Sequence, residues 1–362
     1  MKGLSRPVLL ALLTLLPSFL QAAPTLGTGW NWADGQDGSG QGATYAQSRA
    51  LCNRLRDRQP PAQDWPDAAT AARLTGCDAE ALYYGIMTPA DPVQARQCAL
   101  LEAQRGENQA FHGISLLMEI YANGRGAARD LDLATALACT LEGAPAENDD
   151  RPRTLQMLAA KKWQGDSFSF CDNITSGYNM GICTAHEARI SEGKRHAQTT
   201  ALIAHWRAAD RQALQPLQQA LQEYANASAD HEVDLSGTAR AAFQVEQRQH
   251  LLQQFDQLLH ALEHQSLPVA SARHYRAADA ELNRVYRLVM AIAPTPGEGA
   301  DHLPSMTVTK SGIRDTQRRW LRYRDAWLAF AAQKYPAVKP ESLLTLLTRQ
   351  RSKELRAFLP HE

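Results

Sequence analysis

The sequence predicts an all-α protein, and three observations carry that prediction. Apolar residues recur at helical spacing through most of the chain, strand-like alternation is absent, and clusters of Gly and Pro punctuate the periodic segments. The expected architecture is a set of short helical hairpins followed by a bundle of long helices.

At the start, Lys2 and Arg6 precede an apolar run at residues 8–20, and the small residues Ala22 and Ala23 follow. This is the order of a secretory signal peptide. Cleavage is expected after Ala22, because cutting one residue later would leave Pro24 first. A transmembrane helix needs about 20 apolar residues, which this run lacks, and no comparable stretch follows. No cysteine adjoins the cleavage site to carry a lipid. The reading is a soluble periplasmic or secreted protein without membrane insertion. Removing Lys2 and Arg6 leaves 36 Lys and Arg against 38 Asp and Glu, so the overall charge gives no case for a nucleic-acid partner.

All six cysteines lie between Cys52 and Cys183, an even count with no Cys-x-x-Cys spacing. In an exported chain this favours structural disulfides over metal ligation or thiol redox chemistry, with the connectivity left open. The length admits two domains. Residues 1–22 are assigned to the signal peptide, 23–44 to a Gly-rich flexible lead-in, 45–166 to helical repeats and 167–362 to the helical bundle.

Within the repeats, a shift of 41 residues superimposes Asp91 on Asp132, Ala95 on Ala136, Cys98 on Cys139 and Leu100 on Leu141. Leu116, Tyr121, Gly124, Gly126, Asp130 and Ala134 resemble the pattern of the Sel1 family of helical repeats over residues 78 to 165. Tyr84, Gly85, Asp91 and Ala95 form a poorer copy. The glycines suit the left-handed turn between two helices, and the small alanines permit close helix approach. The resemblance implies a scaffold for protein interactions.

In the second half, Leu202, Ile203, Trp206, Leu214, Leu217, Leu221 and Tyr224 mark one stripe, with a kink or fresh start expected at Pro216. Asp234, Ser236 and Thr238 offer capping oxygens before a second helix through Leu251, Phe255 and Leu262. Further helices are expected at 270–292, 311–333 and 341–358, with a breaker-rich loop around Pro294, Gly297 and Pro304.

His260, Glu263 and His264 match the H-x-x-E-H order in which two histidines one turn apart hold zinc and the glutamate acts as base. The plainer reading is the carboxyl-terminal turn of an amphipathic helix. No motif marks a third ligand, and Glu281 is only the nearest downstream acid. His186, Glu187 and His196 are read as solvated helix positions. Neither Ser176 nor Ser236 sits in a G-x-S-x-G elbow, so no catalytic residue, cofactor or metal is assigned. Asp279 and Arg324 fall on apolar stripes of successive helices. A buried bridge between them is expected, with Gln317 and Tyr286 as added donors.

The signature Asp279, Leu282, Asn283, Tyr286, followed by Gln317, Trp320, Tyr323, Arg324, Asp325 and Ala326, resembles the lysozyme-inhibitor-like domain family named for LprI. Cys171 to Gly177 and Cys183 resemble the opening of a longer variety of that domain, extending the likeness over 168–360. The family commonly carries a cysteine shortly after the Arg-Asp pair, where this chain has Trp327. With that partner missing, the resemblance implies a bond between Cys171 and Cys183. The signature residues are better explained as core than as an inhibitory surface. What the resemblance implies is a non-enzymatic protein that binds lysozyme or another peptidoglycan hydrolase as inhibitor or immunity partner. An envelope adaptor acting through the repeats is the alternative, and a metal hydrolase using His260, Glu263 and His264 is the third reading.

Overall fold

The computed structural model describes residues 24–27, 29–35, 44–297 and 299–360; the expected signal peptide lies outside these residues. The fold is all-α. Among the described residues it contains thirteen α-helices and no strand beyond an isolated bridge between His302 and Thr309. None of these helices is long and apolar enough to cross a membrane.

Seven short helices come first: α1 (Ala46–Leu55), α2 (Ala68–Arg73), α3 (Ala79–Tyr84), α4 (Pro92–Gln104), α5 (Gly113–Asn123), α6 (Leu131–Ala138) and α7 (Pro145–Ala160). From α3 to α7 each packs on its successor. The pairs α3–α4 and α5–α6 close with the same turn. Gly85 and Gly124 are left-handed carboxyl caps, while Asp91 and Asp130 cap the returning helices by accepting from the backbone N–H of Gln94 and Leu133. The N–H groups of Asp91 and Asp130 in turn donate to the carbonyls of Leu82 and Tyr121. Equivalent atoms are therefore 39 residues apart. The offset of 41 read from the cysteines is corrected, because Cys98 and Cys139 serve different bonds: Cys98 pairs with Cys77, and Cys139 with Cys52. The described part of the lead-in is docked rather than loose. Leu26 and Trp32 are buried, and the Trp32 indole donates to Ser48; burying such side chains repays fixing the segment.

The helix α8 (Gly177–Ile203) follows a short 3-10 turn at Phe170–Asn173 and belongs to both halves. Its first turns carry Cys183 into the first core, with Phe168 and Phe170. A boundary at residue 166 would cut through this core. Cys171 and Cys183 pair across the turn with 5.9 Å between their Cα atoms.

Beyond α8 come α9 (Ala208–His231), α10 (Arg240–Glu263), α11 (Ala272–Ala291), α12 (Lys310–Lys334) and α13 (Pro340–Arg356), which enclose a second core from Trp206 to Leu355. Helix α9 runs unbroken through Pro216; the fresh start comes earlier, at Ala204–Arg207, where α8 ends. No side chain caps α10, because the Asp234 carboxylate binds Ser236 and Thr307 instead.

The packing order decides which charges meet. Helix α12 lies chiefly against α9, and α11 against α13. The expected Asp279–Arg324 bridge is not formed: Asp279 accepts from Asn283, while Arg324 stacks over Trp320 and bonds to Asp325. The buried cation is Arg351 on α13, 0% exposed. It bonds the carboxylates of Glu232 and Glu354 and donates from Nε to Gln317 Oε1 at 2.8 Å. Tyr224 completes the cluster by donating to Glu354 at 2.5 Å.

Arg351→Ala leaves Glu232 and Glu354 buried without their cation and is expected to cost about 3 to 5 kcal/mol. Arg324→Ala, which removes a partly exposed ion pair and one cation–π contact, costs about 1 kcal/mol. Urea unfolding of the two variants measures both, and an equal loss would place the principal buried charge elsewhere.

Candidate functional site

The LprI-like signature divides by its surroundings. Leu282, Trp320 and Tyr323 are buried in the second core, with Tyr286 packed at its edge, and Gln317 is spent on Arg351. Asp279 and Asn283 bond to each other near the surface, as do Arg324 and Asp325. Trp327, where a family cysteine is expected nearby, is fully buried and packs on Phe255, Tyr323 and Phe330.

The H-x-x-E-H residues do not converge. His260 and His264 have ring centres 6.1 Å apart and line a cleft of about 830 Å³ between α8 and α10, together with Arg195, Gln253 and Asp256. Glu263 turns away from them. It accepts from the Trp206 indole at 3.2 Å and the Tyr335 hydroxyl at 2.6 Å, with Lys334 3.9 Å away. These contacts tie the α8–α9 turn to the end of α12. Glu281 pairs with Arg284 on α11 and with Arg356 at the end of α13, and those guanidinium groups hold its carboxyl well below the usual carboxylate range.

A second cluster, in the first core, is one that sequence reading missed. His186 is not solvated: it is 4% exposed, its ring lies flat on Phe111 at 3.6 Å, and Nδ1 meets Glu80 Oε1 at 2.5 Å. Burial lowers its affinity for a proton. Glu187 and His196 are exposed. Arg189, one turn further along α8, pairs with Glu80 and with Asp78 at 2.8 Å. Glu102 caps α5 through the Gly113 N–H, approaches His112 Nδ1 at 3.3 Å and raises that histidine's pKa by this bond.

Glu119 sits below them, 1% exposed, bonded to the Tyr84 hydroxyl and to the Phe170 N–H at 2.6 Å. Desolvation pushes its carboxyl up to about 7. The available signal was an acid inside the apolar run from Leu116 to Tyr121, a position that needs partners when buried. Asp78, Glu80 and His112 bring ligand-type atoms within 4.8 Å of one another. Arg189 already sets its guanidinium against both carboxylates, so this cluster carries its own cation. Chemically, it is a latch that fixes α8 to the hairpins.

Taken together these features define a disulfide-braced helical protein whose polar clusters hold helices to one another. Residues 260–355 match the family described as "Lysozyme inhibitor LprI". Over 105 residues the chain is 32% identical to "Uncharacterized protein R02472" of Rhizobium meliloti (strain 1021), an alignment covering 27% of this chain and 76% of that protein. Residues 260–355 therefore form an LprI-family domain of this chain. No solved structure matches it.

Because the Glu119 carboxyl is raised above its ordinary value near 4.5, its contribution to stability is fully present below that pH and is lost as pH rises through about 7. The loss is on the order of 3 kcal/mol. Glu119→Gln, which keeps the shape and cannot ionise, is expected to flatten the fall in urea midpoint between about pH 5 and about pH 8. An unchanged slope would assign the pH dependence to another group.

Proposed function

We propose that the protein is a non-catalytic, exported inhibitor of a peptidoglycan hydrolase, either a lysozyme or a bacterial toxin of that class, acting by occluding the enzyme's cleft. The observation that carries this reading is the family match over 260–355, which spans the end of α10, α11, α12 and most of α13 and includes the buried Arg351. A rigid surface suits occlusion, since little ordering entropy is lost on binding. Glu263 supports the absence of chemistry at the H-x-x-E-H residues, because it is committed to Trp206 and Tyr335. The three cysteine pairs fit an oxidising compartment. The repeated hairpin turn of α3–α4 and α5–α6 favours one further role, an adaptor surface on the first core that brings a second protein to the same place.

The test is a lysis assay in which the mature protein is titrated against a panel of lysozymes and bacterial peptidoglycan hydrolases, with binding followed by calorimetry. Stoichiometric loss of lytic activity for at least one enzyme, with a matching binding isotherm, is the expected result. Binding without loss of lysis favours the adaptor, and neither binding nor inhibition across the panel would remove the inhibitor reading.

A further inference from the structure

Charge is unevenly divided along the chain. Residues 24–259 hold 20 Lys and Arg against 28 Asp and Glu, whereas residues 260–355 hold 15 against 9. The near-neutral total therefore conceals an acidic first part and a basic last part, and two cations of the last part, Arg349 and Lys353, line a cavity.

Helices α11 and α13 run side by side in the same direction: Ala270, just ahead of α11, bonds to Ser342 at the start of α13, and Glu281 meets Arg356 at its end. Between them opens a pocket of about 470 Å³, lined by Ala277, Ala278, Glu281, Arg349, Ser352, Lys353 and Arg356. The two alanines leave room at its α11 wall. The single carboxylate, Glu281, is engaged by Arg284 and Arg356. Arg349 and Lys353 are both exposed, and no ion pair or hydrogen bond engages either among the described residues. Ser352, one turn beyond Arg349 and next in sequence to Lys353, is 5% exposed, and its hydroxyl has no partner. A buried hydroxyl normally finds one. The pocket thus offers an excess of positive charge, two uncommitted cationic side chains and an unused hydroxyl.

We infer that the α11–α13 pocket binds a phosphate group, with Arg349 and Lys353 supplying charge and the Ser352 hydroxyl a hydrogen bond. A phosphate monoanion or dianion suits this set better than a lone carboxylate. A guanidinium bonds phosphate oxygens in pairs, an ammonium adds a point charge, and the third oxygen can accept a hydrogen bond from the hydroxyl. The phosphate can come from a soluble phosphorylated compound or from a lipid headgroup at a membrane surface, where clustered cations hold peripheral proteins.

The mature full chain is titrated with inorganic phosphate, against chloride at equal ionic strength, and observed by calorimetry and thermal melting. In parallel it is sedimented with phosphatidylglycerol and with phosphatidylcholine vesicles. The variants are Arg349→Gln with Lys353→Gln, and Ser352→Ala alone. Saturable phosphate binding that the double variant weakens about tenfold or more and Ser352→Ala weakens about threefold, with both melting as the parent does, supports the site. Vesicle binding restricted to phosphatidylglycerol and lost in the double variant assigns the phosphate to a lipid. Phosphate binding without vesicle binding assigns it to a soluble compound. The inference is overturned if phosphate and phosphatidylglycerol vesicles both fail to bind, if phosphate does no better than chloride and vesicles ignore the substitutions, or if the double variant binds as the parent does. Should the double variant melt early, Ser352→Ala alone decides, and undiminished affinity there excludes the hydroxyl and the proposed pocket with it.

Discussion

The second core depends on a single buried guanidinium. Arg351 arrives on α13 and meets Glu232 from the end of α9, Glu354 from its own helix, Gln317 from α12 and Tyr224 from the middle of α9. Desolvating an arginine is expensive, and the cost is offset only when paired carboxylates and hydrogen bonds surround it. That requirement fixes the rotation of α13 about its axis, because turning it would strand the charge in apolar surroundings. Once α13 is fixed, the same face presents Leu343, Leu347 and Leu355 to the core, and α11 packs alongside the helix. The helices that carry the LprI signature are therefore ordered around a residue outside that signature.

The first core solves a similar problem with more groups and less symmetry. Glu80, Glu102 and Glu119 are all buried, and each is satisfied by a different kind of donor: a histidine and an arginine, a helix amino terminus, and a tyrosine with a backbone N–H. Arg151 in the same region is buried with its guanidinium over the Phe170 ring at 4.5 Å, held by the face of the aromatic rather than by a carboxylate. The three disulfides lie around this half alone, binding α1 to the end of α6, the loop before α3 to α4, and the 3-10 turn to α8. Short helices bury little surface each, so covalent links carry more of the ordering there than in the long-helix bundle.

Helix positions were legible because each long helix repeats apolar residues at its own period; α11 to α13 begin and end within about two residues of the expected limits. Which helices touch was not legible. Asp279 and Arg324 were matched because their helices are consecutive, yet α11 lies against α13, so neighbours in sequence are not partners in space. Arg351 could have been noticed, since it stands four residues from both Leu347 and Leu355 on a buried stripe. His186 could not, because Phe111 and Glu80 reach it from more than seventy residues away. Pro216 starts no new helix, because a proline lowers the stability of a helix without forbidding it where residues such as Leu214 and Leu217 are buried on either side.

Helix α8 joins the two cores as one continuous rod, on the order of 40 Å long for its 27 residues. Cys183 and Gly193 set it against the hairpins, and over the same length Gly181 and Arg195 set it against α10. A recombination event that exchanged one half of this protein for a foreign module would have to splice inside a helix that both halves use.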